Sequence, residues 1–518
     1  VVLFAYIPPN IIKKVKKRAL FGGMWLYLPT FRQIESSNME NRLIGRSKEK
    51  AVLLKALLSS RPEMVAIIGR RRVGKTFLIQ NVYAAHIVFQ ISGVQDGSLK
   101  EQLKNFTYLL KKTFGAVTPI EKPTSWLDAF QQLITCLETQ TNPEKQVVFF
   151  DELPWLATRR SDFLKGLSFF WNSWASQKNI VVVICGSSAS WMIQKVVEHK
   201  GGLHNRLTKR VHLFPFNLCE TELYLKNVNI QFNRYQIVEL YMAMGGIPHY
   251  LNEVEAGLSA AQNIERICFS PAGLLNNEFS RLYPALFENA DNHIAVIKAL
   301  AEKWQGLTRN EIVTLSKLTD GGGVTRCLEE LISSGFVSTY FPFGKKKKEM
   351  LYRLTDEYSL FYLQFIENKA HKGQNRWLEL SQTQDYKSWS GYAFESLCLK
   401  HIPQIKKALG ISGVYAETSS FYQKGTSQDA GVQIDLLIDR KDNVINVFEL
   451  KFYNGLMNLS KSYAADLRDK ITIFKDITQT RKQVFLSLLT TFGLKHNEHS
   501  LGLIDKALTM DVLFADEE

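Results

Sequence analysis

Cysteine is scarce and scattered. The six thiols, Cys136, Cys185, Cys219, Cys268, Cys327 and Cys398, never form a CxxC pair, and no cluster of histidines accompanies them. That spacing argues against structural zinc and against a disulfide scaffold, so the thiols read as reduced core residues and no disulfide-linked partner is expected. Long apolar runs are lacking too. Ala19–Phe31 follows Lys13, Lys14, Lys16, Lys17 and Arg18 much as a secretory signal would. It is broken by Gly22, Gly23 and Pro29, and it falls short of the ~18 residues a membrane span needs. No membrane association and a cytoplasmic location are therefore expected. Repeats and low-complexity tracts are likewise missing.

What is present suits a folded chain that meets polyanions. Apolar residues make up 45% and charged residues 22%, enough to fill real cores. Lysine and arginine number 64 against 50 acids, a net charge of +14, which points to nucleic acid before membrane. At roughly 150 residues per domain, 518 residues leave room for about three domains. Segment 1–38 is expected to be a poorly ordered extension. The motif series begins beside Met39, and whether 1–38 belongs to the natural product stays open.

The strongest signal is Gly69-Arg70-Arg71-Arg72-Val73-Gly74-Lys75-Thr76, a complete GxxxxGK[ST] between the β-rich run Met64–Ile68 and a helix over Lys75–Ala84. Glycines let backbone N–H groups wrap phosphates, Lys75 reaches the β/γ-phosphates, and Thr76 offers a hydroxyl to Mg²⁺. The second half of such a site is an apolar strand ending in acid. Val147–Phe150 followed by Asp151 and Glu152 supplies it, with Asp151 holding Mg²⁺ through water and Glu152 polarising the attacking water. A further buried strand, Ile180–Cys185, ends in Gly186-Ser187-Ser188, whose polar end should face the γ-phosphate; Ser187 or Ser188 is the sensor candidate. Arg206, with Arg210 as rival, is the candidate to neutralise transition-state charge, in cis or from a neighbouring subunit, which would require self-association.

Leu43-Ile44-Gly45-Arg46 with Glu49, GRRRVGKT, FFDELPWL, CGSSASWM, HNRL and Met244-Gly245-Gly246-Ile247-Pro248-His249-Tyr250 together resemble the archaeal-type AAA+ ATPases, close to the STAND class, over roughly Asn41 to Tyr358. The resemblance implies ATP and Mg²⁺ as cofactors, with Gly45 and Arg46 joining Gly69–Thr76 around the nucleotide. It also implies an α/β P-loop domain over 39–215 with strand order 5-1-4-3-2, a helical lid over 216–288 and a winged helix over 289–370. One departure is the lack of a clear lid arginine that could touch the γ-phosphate as in AAA+ rings, so nucleotide-dependent switching stands beside processive motion.

The winged-helix expectation has its own residue pattern. His293–Lys303 is amphipathic, Thr308 with Glu311 forms a capping box, and Val324–Ser334 returns as a helix after three glycines. Phe336–Phe341 and Met350–Leu354 then make a hairpin with Lys345–Lys348 at its tip. That tip suits a phosphate backbone, or it is a solvated turn on a packing module.

A second chemical site is expected over 371–518. The β-rich runs Val432–Ile438 and Val444–Phe452 flank a turn centred on Asp442, a hairpin that sets Asp435 opposite Glu449 and projects Lys451 from the same face. Opposed carboxylates repel in a plain sheet, and a hard divalent ion removes the conflict. Helices over Leu459–Phe474 and His499–Leu508 are expected to cover the sheet. With Glu395 in the first turns of an upstream helix that includes Tyr392–Leu399, this pattern resembles the PD-(D/E)XK nuclease superfamily. The resemblance implies Asp435, Glu449 and the Leu450 carbonyl as metal ligands, Glu395 as an auxiliary acid and Lys451 positioning water. The expected protein is thus an Mg²⁺-dependent ATPase acting on DNA. Alternatives are an ATP-gated switch with a non-catalytic tail and a transcription regulator.

Overall fold

Three continuous apolar runs build the centre of the first sheet: β1 (Glu63–Ile68), β3 (Gln146–Asp151) and β4 (Ile180–Gly186). β2 (Ile87–Ser92) and β5 (Lys209–His212) are the more polar edges. Runs without alternation suit parallel strands covered on both faces. The order is β2-β3-β4-β1-β5 with every pair parallel, the order implied by the family resemblance. In the computed structural model, residues 43–518 form one compact unit. The residues described are 43–518 other than 116–118, 141–143, 159–160, 199–204, 346–348, 368–375, 426–430 and 517–518; the expected extension 1–38 lies outside them.

One face of the sheet is packed by an aromatic cluster in which Phe130, Phe163 and Phe170 meet Phe150 and Trp126 packs edge-on against Phe163. The other face opens into a much larger core. That core runs without a break from Leu53 and Tyr83 through Tyr241, Leu300 and Phe361 to Phe394 and Phe514. The boundaries expected at 215, 288 and 370 therefore separate segments of the chain that share this core.

After β5, Asn217 and Glu220 close a capping box on the helix Leu218–Asn227, and Asn233 caps Arg234–Met244. The Gly245-Gly246 pair that follows is explained by close approach. A Cβ on Gly246 would lie 2.0 Å from the Phe216 carbonyl oxygen, and Gly245, at φ 67°, faces the Glu357 carboxylate.

Helices Ala290–Ala301, Arg309–Ser316 and Gly322–Ser333 precede an antiparallel hairpin, β6 (Val337–Tyr340) and β7 (Leu351–Leu354). The Thr308/Glu311 capping box is present. The hairpin turn leans on protein: Phe343 N–H donates to the Ser420 carbonyl at 2.7 Å, and its ring meets Phe474. Lys345 pairs with Glu349 at 3.4 Å, while the rest of the expected basic tip, 346–348, lies outside the described residues.

In the last segment the short helix Arg376–Leu380 leads to helix Gln384–Lys400, and a second sheet is built from β8 (Ala416–Gln423), β9 (Val432–Arg440) and β10 (Val444–Lys451). A short pair, β11 (Met457–Asn458) with β13 (Leu494–Lys495), flanks it, and β12 (Gln483–Thr490) and β14 (Lys506–Thr509) complete the order β14-β12-β10-β9-β8. The helix Lys461–Thr478 covers one face. Two expectations need correction here. His499–Leu508 is not a helix: Gly502 turns at φ 71°, and Lys506–Thr509 pairs in parallel with β12, where backbone ladder bonds win over a weak local helix pattern. Glu395 lies in the later turns of its 17-residue helix, not the first.

Candidate functional site

The loop after β1 is held open by its neighbours. Gly74 adopts φ 88° ahead of helix Lys75–Tyr83, and a Cβ built there meets nothing within 4 Å. Arg72 is also left-handed, at φ 72°. Gly69 must be glycine because the Leu213 carbonyl oxygen would sit 2.4 Å from its Cβ. Lys75 Nζ donates to the Arg70 carbonyl at 2.9 Å, folded back along the loop. Thr76 Oγ1 donates to Asp151 Oδ2 at 2.8 Å, so the loop hydroxyl and the β3 carboxylate converge at one point. Two hard oxygen donors beside a phosphate-wrapping loop at a helix N-terminus fit nucleotide with Mg²⁺.

Glu152 follows at φ 47°, and its Oε2 accepts from both the backbone N–H (3.1 Å) and the hydroxyl (2.7 Å) of Ser187 at the end of β4. Of the two sensor candidates, Ser187 is the one that grips the acid; Ser188 merely precedes the next helix, with no side-chain cap. Arg46 works from behind. It donates to the Val73 carbonyl at 3.2 Å, stacks 4.5 Å from the Phe216 ring, and its N–H bonds Glu220. Gly45 beside it lies at φ 63°, in the left-handed region that glycine enters without strain. Arg46 thus braces the loop through the Val73 carbonyl.

Arg206 is exposed and precedes β5, whose pairing with β1 runs parallel from Val65 onward. Thr208 N–H donates to the Met64 carbonyl, at the start of β1, whereas the loop follows its end at Ile68. Several strand residues, at about 3.3 Å each, therefore separate the Arg206 end of the sheet from the phosphate loop. The exposed Arg210 pairs with Ala66, in mid-strand. Within one chain Arg206 therefore stands at the opposite end of the sheet from the phosphate loop.

The three loop arginines divide their work. Arg71 is exposed. Arg72 pairs with Glu278 from the helical segment at 2.5 Å. Arg70 is fully enclosed, ion-paired with Asp356 just beyond β7 and resting 4.9 Å from the Phe336 ring. Burial would raise the Asp356 pKa, but the Arg70 charge and the Ser359 hydroxyl hold it below the ordinary range. Its neighbour Glu357 pairs with Lys400, the last residue of the helix that carries Glu395. Sequence reading missed Asp356, Glu357 and Glu278. The legible trace was the Asp356-x-x-Ser359 cap, which reads as a local helix start.

The acidic cluster of the second sheet is assembled as the hairpin reading predicted. The β9–β10 register pairs Phe448 with Leu436, which sets Glu449 and Asp435 at the next step of the ladder. Glu449 is 3% exposed and heavily claimed. Its Oε1 accepts from the Tyr463 hydroxyl (2.6 Å) and faces Lys451 Nζ (2.9 Å), while Oε2 faces Lys470 Nζ (3.0 Å). Burial would raise its pKa; Lys451 and Lys470 outweigh burial and hold it low. Asp435 is pushed up by burial and then by Glu449, and Glu395 is pushed up to about 8 by burial and then by Asp435. The middle segment reaches this cluster: Gln305 donates to Gln433 at 2.7 Å, and Gln433 donates to Asp435 at 3.0 Å. Trp304 stacks on Tyr392, one turn from Glu395. Among the described residues no three Asp, Glu, His or Cys side chains group as an ion site. An ion here would rest on Asp435 and Glu449 with backbone oxygen and water, an all-oxygen set that suits a hard divalent cation.

The loop, Asp151 and Glu152 on a 2-3-4-1-5 parallel sheet define a P-loop ATPase domain, and the chain carries one. Residues 43–254 match the family model described as an ATPase domain predominantly from Archaea. An uncharacterized protein of Methanocaldococcus jannaschii is 22% identical over 390 residues, covering 74% of this chain and 83% of that protein. Among solved structures, a Walker-type ATPase of Pyrococcus abyssi is 15% identical with a TM-score of 0.45, over 62% of this chain and 96% of that one. The ORC2 protein of Aeropyrum pernix is also 15% identical, with a TM-score of 0.38 over 69% of this chain and 97% of its own. Likenesses of that size assign neither substrate nor partner. No helix among the described residues is long and apolar enough to cross a membrane.

Proposed function

We propose that the chain is an Mg²⁺-dependent ATPase whose nucleotide state governs a DNA-binding, PD-(D/E)XK-like tail, with the middle segment acting as a winged helix between them. The observation that carries this reading is the run of ion pairs that starts buried, from Arg70 in the phosphate loop to Asp356, and continues nearer the surface from the adjacent Glu357 to Lys400 on the helix bearing Glu395. Lys75 would hold the β/γ-phosphates, Thr76 and Asp151 the Mg²⁺, and Glu152, steered by Ser187, the attacking water. In the tail, Asp435 and Glu449 with the Leu450 carbonyl would hold one or two divalent ions. Bound there, the metal supplies Lewis acidity toward a phosphodiester and acidifies water. Lys451 would position that water and Glu395 hold a proton nearby. The net charge of +14 supports a polyanionic partner.

A second reading, an ATP-gated switch with a tail that binds without cutting, is favoured by the way Tyr463, Lys451 and Lys470 already occupy both oxygens of Glu449. Plasmid nicking by the full chain in Mg²⁺ or Mn²⁺, with and without ATP, separates the two. Nicking that is lost in Asp435→Ala/Glu449→Ala, while ATP turnover persists, supports cleavage. Absence of nicking under every condition, with DNA still bound, replaces it by the switch.

A further inference from the structure

The helix Lys461–Thr478 buries Ala464, Leu467 and Phe474 as its inward stripe, and on the same side it carries Tyr463 and Lys470, seven residues apart and so two turns along one face. A lysine on the stripe that faces a sheet needs a reason, and Glu449 is the reason found: Lys470 Nζ lies 3.0 Å from Oε2 and Lys451 Nζ 2.9 Å from Oε1. Two ammonium groups thus converge on one carboxylate, while among the described residues Asp435, one step across the ladder, accepts a side-chain hydrogen bond from the neutral Gln433 alone. Both ammonium groups pair directly with Glu449, while they act on Asp435 only through space and Arg353 with Lys451 does so on Glu395. Lys451 and Lys470 keep 33% and 27% of their side-chain surface, so both reach the rim of the site.

We propose that Lys470 is a phosphate-binding residue of the tail site, one that neutralises Glu449 in the metal-free chain and competes with a divalent ion for that carboxylate. The proposal rests on the reading of the tail as a metal-dependent, DNA-directed site. A hard cation gains more from the Glu449 carboxylate than an ammonium does, and an ammonium relieved of Glu449 at the rim has a backbone phosphate as its natural partner. Lys451 differs because it extends from the same strand as Glu449, whereas Lys470 comes from a helix and faces the acid from outside the sheet. Tyr463, bonded to Glu449 Oε1, fixes the rotamer of the acid and does not carry charge.

The test is calorimetric Mn²⁺ titration of the full chain without nucleotide, with Asp435→Asn subtracted to remove binding at the phosphate loop. A salt series of duplex-DNA binding in Ca²⁺ runs beside it. Lys470→Met should tighten the Asp435-dependent Mn²⁺ site several-fold and remove about 0.9 from the log–log salt slope of DNA binding. Lys470→Arg should keep the slope, which separates lost charge from lost folding. A lysine that only props the helix would give a weaker Mn²⁺ site and an unchanged slope, and that result overturns the proposal. If neither wild type nor Lys470→Met shows an Asp435-dependent isotherm, the metal reading of the tail fails and takes this proposal with it. If both bind Mn²⁺ equally, the role of Lys470 alone is wrong.

Discussion

Asp356→Ala is the most informative single change away from the reacting groups. It leaves the Arg70 guanidinium enclosed by protein without its ion-pair partner, with only the more distant Glu357 charge remaining, since Asp356 is 2% exposed and Arg70 5%. Removing one partner of a buried ion pair costs about 3–5 kcal/mol. Asp356 also caps the Glu357–Phe361 helix, accepting from Ser359 N–H at 2.9 Å and Ser359 Oγ at 2.6 Å, and losing a cap adds about 1 kcal/mol. The expected total is about 4–6 kcal/mol, read as a fall in the urea midpoint at unchanged slope. Arg70→Met/Asp356→Leu, which removes both charges, should recover most of that loss because no orphaned ion remains. The pH dependence has a definite sign. The Asp356 pKa is depressed on folding, so its contribution is present above the ordinary aspartate value of about 3.9 and is lost as pH falls through the lower folded value. The stability gap between wild type and Asp356→Asn should therefore narrow as the solution is acidified through that window. An Asp356→Ala chain within about 1 kcal/mol of wild type, or a double variant as unstable as the sum of the singles, would refute the reasoning.

Three further outcomes are expected. Lys75→Ala should abolish ATP binding measured by fluorescent-nucleotide titration, whereas Glu152→Gln should bind normally and hydrolyse roughly 10²–10⁴-fold more slowly; wild-type turnover would move the base elsewhere. Ser187→Ala should lower kcat about tenfold with ATP affinity unchanged, because the hydroxyl is bonded to Glu152 and aims it; an effect on affinity alone would contradict that role. Gly246→Ala, whose new Cβ meets the Phe216 carbonyl oxygen at 2.0 Å, should cost at least about 1–3 kcal/mol in thermal or urea unfolding. Gly323→Ala, in open space on a helix, should stabilise by about 0.5–1 kcal/mol, and equal effects at the two glycines would undercut the close-approach argument.

The phosphate loop, Asp151, Glu152 and the strands around them were legible because their information is local. A GxxxxGKT run after a β-rich segment, and acids ending an apolar strand, leave little freedom in what the backbone does. The Asp435–Glu449 pairing was legible for the same reason: a short turn sets a hairpin's register, and period-two geometry then puts Lys451 on the face of Glu449. What the sequence could not show lies between segments far apart in the chain. Arg70 and Asp356 are 286 residues apart, and nothing near either one announces the other. Lys470 reads as an ordinary solvated lysine until the helix docks and turns it toward Glu449. Arg206 reads as a candidate for phosphate charge until parallel pairing with β1 places it at the far end of the sheet. His499–Leu508 reads as a helix until β12 offers it a ladder. Local chemistry is written in neighbouring residues, but ion pairing and strand pairing are decided by burial, which only the packed chain supplies.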